Sequence, residues 1–194
     1  CPYAMRARLA ILSAGLQVEL REIVLRDKPA EFLAASPSAT VPCLVTPDQT
    51  LDESYDIMRW ALAQNDPCGW LNMPPEADAL IAEADGPFKD ALDRTKYASR
   101  YPDQDPIAHR QVASGFLADL NARLDHGWLF GEPSIADFAI LPFVRQFAFI
   151  DKNWFDAQPW PAIHYWLETF LISDRFTRIM PKYAQWIEGA APVV

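Results

Sequence analysis

The first 65 residues combine helical and extended patterns of apolar positions. Apolar residues recur at helical spacing after Pro2, and Gly15 suits the end of that helix. Short β-branched runs bounded by turn residues indicate strands. The pattern predicts the following elements in order: helix 2–15, strand 18–24, a short helix from Pro29, strands 41–45 and 50–51, and helix 54–63. This order predicts an α/β domain in which helices cover a small sheet.

The remainder of the chain carries helical spacing only. Prolines and glycines over 66–76 predict a linker between a first domain, 1–65, and a second domain, 77–194. Within the second domain, Ser134 and Asp137 have the spacing of a capping box before an apolar run. Its helices are expected over 77–100, 107–126, 134–150 and 160–172. We therefore expect an all-helical second domain.

Composition and charge exclude several classes of function. The 194 residues are 51% hydrophobic, which is enough for a folded core. The net charge is −9 and lysines and arginines do not cluster, so nucleic acid is an unfavourable partner. No apolar run approaches the ~18 residues of a membrane span, and we expect a soluble protein. The three histidines lie far apart without ligand spacing, so we expect no metal site.

The three cysteines, Cys1, Cys43 and Cys68, cannot all pair within one chain. Their small number favours a reducing, cytoplasmic setting. Cys1 stands where the first helix begins, and a helix N-terminus favours the thiolate over the thiol. Position 4 holds Ala4 rather than a second cysteine, so a reaction at Cys1 would need a thiol from outside the chain. The alternative is that a lone cysteine there is incidental.

Two further pairs of residues could bind a small peptide. A proline entering a strand, as in Val41-Pro42, sits at an edge or is cis, and a cis bond would turn the Val41 main chain outward to an extended ligand. Glu53-Ser54 would combine a carboxylate, a hydroxyl that caps a helix and helix N–H groups, which together could hold an α-amino acid head. Each pair also has a simpler interpretation, an edge proline and an ordinary helix cap.

Taken together and in this order, these features resemble the cytosolic glutathione transferase superfamily. The resemblance is carried by Cys1-Pro2-Tyr3 with Arg6 and Arg8, Lys28-Pro29-x-Glu31-Phe32-Leu33, Val41-Pro42-x-Leu44 and Asp52-Glu53-Ser54. The helical remainder resembles the C-terminal domain of the same family. The resemblance implies a thioredoxin-like α/β domain followed by an all-α domain, in a homodimer. The first strand of such a domain would precede Cys1, so we expect the natural chain to extend upstream.

The resemblance also implies a site. Glutathione, as cosubstrate, would be bound by Lys28, Val41, Glu53 and Ser54, with Cys1 as the catalytic residue. Cysteine in that position resembles omega-like, beta-like and lambda-like groups, which favour glutathione-dependent thiol transfer, reduction or deglutathionylation. The second substrate would be a small electrophile or a mixed disulfide. Its pocket would be lined by Tyr3, Lys96, Tyr97, Arg100 and Tyr101.

The chain departs from the family pattern in two places. Ser36-Pro37-Ser38-Ala39 stands where Asn-Pro-x-Gly is usual, and Gln49 replaces the glycine of the hairpin turn, which must therefore close with another geometry. Two other functions stay open. One is the conjugation of glutathione to hydrophobic electrophiles, and the other is a non-catalytic ligand-binding or interaction protein on the same fold.

Overall fold

The computed structural model describes residues 1–124 and 126–194. They form two compact units. The first contains Cys1, 3–68 and 174–194, and the second contains Pro2 and 69–173. The first unit is therefore built from two separate stretches of chain. The domain limits expected from the sequence, 1–65 and 77–194 around a linker, stay a prediction.

The described residues contain ten α-helices and one pair of short strands. In chain order they are α1 (Pro2–Ala14), α2 (Ala30–Ala35), β1 (Leu44–Val45), β2 (Thr50–Leu51), α3 (Ser54–Gln64), α4 (Glu76–Glu83), α5 (Lys89–Lys96), α6 (Pro106–Arg123), α7 (Ile135–Ala148), α8 (Lys152–Asp156), α9 (Pro161–Leu171) and α10 (Asp174–Ile179). Among these helices, none combines the length and apolar character needed to cross a bilayer.

Helix α1 forms where the sequence predicted it. Pro2 lies in its first turn, and Gly15 ends it in the left-handed conformation, with φ 67°. Met5, Leu9 and Ala10 are buried, and so they anchor the helix in the core of the first unit. The helix start that carries Cys1 is thereby held by the packing of the turns that follow it.

The strand predicted over 18–24 does not form, and that prediction is wrong. Leu20 makes a single bridge with Val193, its N–H donating to the Val193 carbonyl at 2.7 Å, and Val24 bridges Asp27. A strand needs successive pairings along a neighbour, and isolated bridges do not supply them. In the described part of the chain the sheet is the antiparallel hairpin of β1 and β2 alone.

The hairpin turn closes through Thr46 instead of a glycine. The Thr46 N–H donates to the Gln49 carbonyl at 2.8 Å, and the hydroxyl donates to the same carbonyl at 3.0 Å. The hydroxyl also accepts from the N–H groups of Gln49 at 3.0 Å and Asp48 at 3.3 Å. A threonine side chain thus supplies the local hydrogen bonds of the turn, which confirms the expected change of geometry.

Residues 174–194 return to the first unit and pack against α1. The Arg8 guanidinium donates to the Ile179 carbonyl at 3.1 Å and pairs with the Glu22 carboxylate at 3.1 Å. The Trp186 N–H in turn donates to the Glu22 carbonyl at 2.7 Å. Arg8 therefore joins α1, the segment after it and the returning chain.

The second unit is helical, as predicted. Helix α7 forms its centre, because nearly all of its side chains are buried, and Phe138 stacks on Trp70 with 3.9 Å between ring centroids. The helix predicted over 77–100 is interrupted by a π-helical turn over Ala84–Phe88 and ends in a 3₁₀ turn, Ala98–Arg100. Pro87 lies inside the π turn, and its missing N–H accounts for the break in the α-helical ladder.

The predicted capping box is confirmed at the start of α7. The Asp137 carboxylate is fully buried and accepts from the Ser134 N–H at 2.9 Å, from the Ser134 hydroxyl at 2.9 Å and from the Leu129 N–H at 3.0 Å. Burial raises the pKa of Asp137, while these donors act in the opposite direction. The start of α7 is therefore satisfied entirely from within the chain.

Candidate functional site

Cys1 lies at the start of α1 as its N-cap residue and is exposed. The Cys1 carbonyl accepts from the Met5 N–H at 3.1 Å, which closes the first turn of the helix. The described first turn carries no acidic residue, so nothing there offsets the positive end of the helix dipole. None of the three cysteines forms a disulfide. This environment favours a thiolate, the nucleophilic form of cysteine.

The main chain of Val41 offers the second element of the site. The Val41-Pro42 peptide bond is cis, one of the two alternatives that the sequence left open. Val41 is half-buried, and no group in the described part of the chain bonds to its N–H or its carbonyl. Both groups remain to pair with a ligand.

The start of α3 differs by one residue from the prediction. Glu53, rather than Ser54, is the N-cap residue, because the extended Glu53 supplies the carbonyl that accepts from the Ile57 N–H at 3.0 Å. The prediction that Ser54 caps the helix is wrong, and Ser54 is its first helical residue. The Glu53 side chain is exposed and does not cap α3. The helix start is therefore open to an anion.

Lys28 lies beside the loop that leads to Val41. Its ammonium donates to the Ala39 carbonyl at 2.9 Å, which uses one of three donors. Ala39 has φ 53°, in the left-handed region that favours glycine. It occupies the position where the family pattern has glycine, and its backbone conformation is one that glycine adopts readily. Lys28 supports this loop and keeps two donors that could meet a carboxylate.

Asp52 holds the same loop from the other side. Its Oδ2 accepts from the Ser38 N–H at 2.8 Å and from the Ser36 hydroxyl at 3.5 Å. Hydrogen bonding from Ser38 lowers the pKa of Asp52. Burial and the Asp52 charge raise the pKa of Cys43, which is half-buried nearby. Cys43 is therefore a poorer nucleophile than a thiol at a helix start.

Arg6 is a residue whose place at the site the sequence reasoning missed. It is 1% exposed on α1, and its Nη1 donates to the Ser54 Oγ at 3.4 Å, while Ser54 itself is 4% exposed. A signal for it was present in the sequence. Arg6 precedes Ala10 by one turn, and an arginine on the apolar face of a helix needs a polar partner inside the protein.

The residues expected to line a second-substrate pocket fall into both units. Tyr3 belongs to the first unit, where the Arg6 Cζ lies 6.0 Å from its ring centroid. In the second unit the Lys96 Nζ and the Arg100 Cζ lie 5.1 and 4.4 Å from the ring centroid of Tyr97. Tyr101 lies close by in sequence and is stacked by Arg94 at 5.0 Å. The pocket itself stays a prediction.

A thioredoxin-like α/β unit with a helix-start cysteine, followed by a helical unit, defines the class of the protein. The model of the glutathione S-transferase N-terminal domain matches residues 1–69, and the model of the C-terminal domain matches residues 78–169. The chain belongs to the glutathione S-transferase family. The fold and the family expected from the sequence are confirmed.

Individual relatives agree with this assignment. Protein IN2-1 homolog B of Oryza sativa subsp. indica is 28% identical over 152 residues, which cover 76% of this chain; the match spans 62% of that relative's length. Glutathione transferase Omega 3C of Trametes versicolor has a TM-score of 0.78 at 15% identity, over 95% of this chain and 87% of its own. A glutathione transferase of Pseudomonas putida, solved with one glutathione disulfide per subunit, has a TM-score of 0.78 at 18% identity, over 93% and 88% of the two chains.

Proposed function

We propose that this protein is a glutathione transferase that uses the Cys1 thiolate for glutathione-dependent thiol transfer, reduction or deglutathionylation. The observation that carries the proposal is the place of Cys1, exposed at the positive end of α1 with no acidic residue in the described first turn. A hydroxyl in that position could only hydrogen-bond to a bound thiolate, whereas a thiolate can form a mixed disulfide. Ala4 supplies no second thiol, so the resolving thiol is glutathione.

The proposed glutathione site lies within the first unit. The Glu53 carboxylate binds the γ-glutamyl amine, and the Ser54 hydroxyl with the open start of α3 binds the α-carboxylate of the same group. The unpaired main chain of Val41 pairs with the cysteinyl residue. The remaining donors of Lys28 meet the glycyl carboxylate. Each charged group of the tripeptide thus faces a group of opposite charge or a hydrogen-bond donor.

The proposed reaction is two successive thiol–disulfide exchanges. The Cys1 thiolate attacks the glutathionyl sulfur of a mixed disulfide, forming a Cys1–glutathione disulfide and releasing the acceptor as a thiolate, which takes up a proton. The thiolate of a second glutathione then attacks the bound glutathionyl sulfur. This step releases Cys1 as a thiolate and forms glutathione disulfide. The two electrons that reduce the acceptor therefore come from glutathione.

The Pseudomonas putida relative supports the proposal, because its structure holds the disulfide product of such a reaction. The exchange consumes reduced glutathione, which fits a reducing compartment such as the cytoplasm. The family resemblance further suggests a homodimer, and light scattering on the purified protein measures its mass. The acceptor is proposed only as a class, a small electrophile or a mixed disulfide.

Mass spectrometry and a disulfide-exchange assay test the role of Cys1 together. After incubation with glutathione disulfide, the wild type and Cys68→Ser should each carry one glutathione on Cys1, and Cys1→Ser should carry none there. Cys68 is the matched control, because it is the other exposed cysteine. The rate of glutathione-dependent reduction of hydroxyethyl disulfide should fall at least about a hundredfold in Cys1→Ser alone.

Full exchange activity in Cys1→Ser would overturn the mechanism. A chlorodinitrobenzene assay compares the same variants in conjugation. If conjugation is the faster reaction and survives in Cys1→Ser, the protein is a conjugating transferase. If calorimetry detects no binding of glutathione to the wild type, the non-catalytic alternative is correct.

A further inference from the structure

We propose that the buried Arg6 is a positioning residue for glutathione, which fixes the Ser54 hydroxyl as a hydrogen-bond donor to the α-carboxylate of the γ-glutamyl group. The inference rests on the proposed function, which puts that carboxylate at the start of α3. The inference concerns how the protein binds this carboxylate, and it assigns no chemical step to Arg6.

The direction of one hydrogen bond carries the proposal. The Arg6 Nη1 and the Ser54 Oγ are 3.4 Å apart, and both side chains are buried. A guanidinium has donors only, so the serine oxygen must accept this bond. The hydroxyl hydrogen is then directed to a different acceptor. No group of the described residues accepts from the Ser54 hydroxyl, and the carboxylate of a ligand would complete the arrangement.

The charge of Arg6 acts in the same direction. No side chain caps α3, so the first N–H groups of the helix retain their partial positive charge. The guanidinium of Arg6 lies 3.4 Å from the Ser54 oxygen. Because the contact is shielded from water, the guanidinium polarises the Ser54 hydroxyl more than a surface arginine would. A hydroxyl polarised by a cation is also a stronger donor.

The position of Arg6 links the two halves of the proposed site. Cys1 begins α1, and Arg6 follows on the same helix with less than two turns between them. The helix that presents the thiol therefore also orients the residue that would hold the γ-glutamyl end of glutathione. A shift of α1 would change both together.

Calorimetry with two probes tests the proposal. The first probe is glutathione, and the second is γ-aminobutyryl-cysteinyl-glycine, which is glutathione without its α-carboxylate. We expect the wild type to bind glutathione at least about tenfold more tightly than the analogue. Arg6→Met should bind glutathione about tenfold more weakly than the wild type and the analogue about equally well. Arg6→Lys keeps the charge without the planar fork, and its loss should be intermediate, about threefold.

A double-mutant cycle shows whether Arg6 acts through Ser54. The variant with Arg6→Met and Ser54→Ala should bind glutathione as Ser54→Ala alone does, because the hydroxyl that Arg6 orients is gone. Arg8→Met is the matched control, since Arg8 lies on the same helix but contacts Ile179 and Glu22. It should keep the wild-type ratio between the two probes.

The results distinguish a failure of the role of Arg6 from a failure of the proposed function. A wild type that binds neither probe overturns both. A wild type that binds the two probes equally, or an Arg6→Met or Arg6→Lys protein that keeps the wild-type ratio, overturns the role of Arg6 and leaves the Cys1 mechanism standing. If Arg6→Met does not fold, Arg6→Lys and its double variant with Ser54→Ala decide the question by the same criterion.

Discussion

The starts of α1 and α3 in the first unit differ from the start of α7 in the second unit in how their N–H groups are satisfied. In the first unit, Cys1 is the N-cap residue of α1 and Glu53 that of α3, and no side chain caps either helix. In the second unit, Ser134 is the N-cap residue of α7, and the fully buried Asp137 accepts three hydrogen bonds there. A good N-cap stabilises a helix by about 1 kcal/mol. The first unit does without this stabilisation at both helix starts of the proposed site.

The contrast shows how one physical property serves two purposes. Every helix start leaves N–H groups without partners and carries a partial positive charge. Where the chain supplies its own carboxylate, the result is a fixed element of the fold. Where it leaves the groups open, the same charge can favour a thiolate or bind the carboxylate of a ligand. Three variants change these helix starts one at a time, and a fourth comparison changes the pH.

The largest effect is expected at the start of α7, where Asp137 accepts from buried donors. Asp137→Ala removes the acceptor for the Leu129 and Ser134 donors and leaves them buried, so the free energy of unfolding should fall by roughly 3 kcal/mol. Asp151→Ala is the control, because at an exposed site Asp151 caps α8 with a bond to the Trp154 N–H and otherwise lies only 3.9 Å from the Arg110 guanidinium. Its cost should be about 1 kcal/mol. Urea denaturation measures both, and equal losses would contradict the prediction.

At the open start of α3 the expected effect is on binding. Glu53→Gln removes the charge proposed to hold the γ-glutamyl amine, so the dissociation constant for glutathione should rise about tenfold. Stability should hardly change, because the Glu53 side chain is exposed and does not cap the helix. Asp56→Asn, also exposed in the first turn, controls for the change of charge. A Glu53→Gln protein with wild-type affinity in calorimetry would argue against this use of Glu53.

Capping the open start of α1 should exchange activity for stability. Aspartate is among the best N-cap residues, so Cys1→Asp should raise the free energy of unfolding by about 1 kcal/mol, whereas Cys1→Ala should not. Both variants lose the thiol and with it disulfide exchange. Urea denaturation of the three proteins provides the comparison. If Cys1→Asp is no more stable than Cys1→Ala, the N–H groups at the start of α1 are satisfied in some other way. The start of α1 then does not differ from that of α7 in this respect.

The smallest effect is an opposite dependence on pH in the two units. Hydrogen bonds lower the pKa of Asp52 below its ordinary value of 3.8, so its stabilisation is present above that value and is lost as the pH falls through the folded pKa. Burial raises the pKa of Asp137, so its contribution is greatest below 3.8 and declines as the pH rises through the folded pKa.

Urea denaturation from about pH 3 to about pH 6 checks these signs. The difference in stability between the wild type and Asp52→Asn should grow with pH. The difference between the wild type and Asp137→Ala should shrink with pH. Slopes of the same sign would contradict the direction of the pKa shift for one of the two carboxylates.

The elements that the sequence predicted well depend on neighbouring residues. Pro2 and Gly15 mark the ends of α1, and both signals act within one turn of the chain. The same is true of the Ser134–Asp137 box, where both partners lie within one turn. The hairpin also follows this rule, because Thr46 closes it by bonds that span at most three residues. Interactions between residues this close along the chain can be predicted from the sequence alone.

The features that the sequence did not predict depend on residues that are far apart along the chain. The run over 18–24 has the composition of a strand, but a ladder requires successive pairings, and among the described residues Leu20 forms a single isolated bridge, with Val193. The contact between Arg6 and Ser54 joins residues 48 positions apart, and the contact of Arg8 with Ile179 spans 171. Nothing in the spacing of apolar residues indicates these pairings. The catalytic and glutathione-binding residues named from the family pattern all lie in the first unit, and their roles await the variants described above.

The discontinuous first unit also has a consequence for synthesis on the ribosome. Residues 3–68 emerge early, but the contacts of Arg8 and Leu20 with residues 179 and 193 form only after more than a hundred further residues have been made. At about 5–20 residues per second this interval lasts roughly 6–25 s. During that time the nascent first unit is incomplete, while 69–173 can already pack within itself. A chaperone that binds the early segment would therefore have several seconds in which to act.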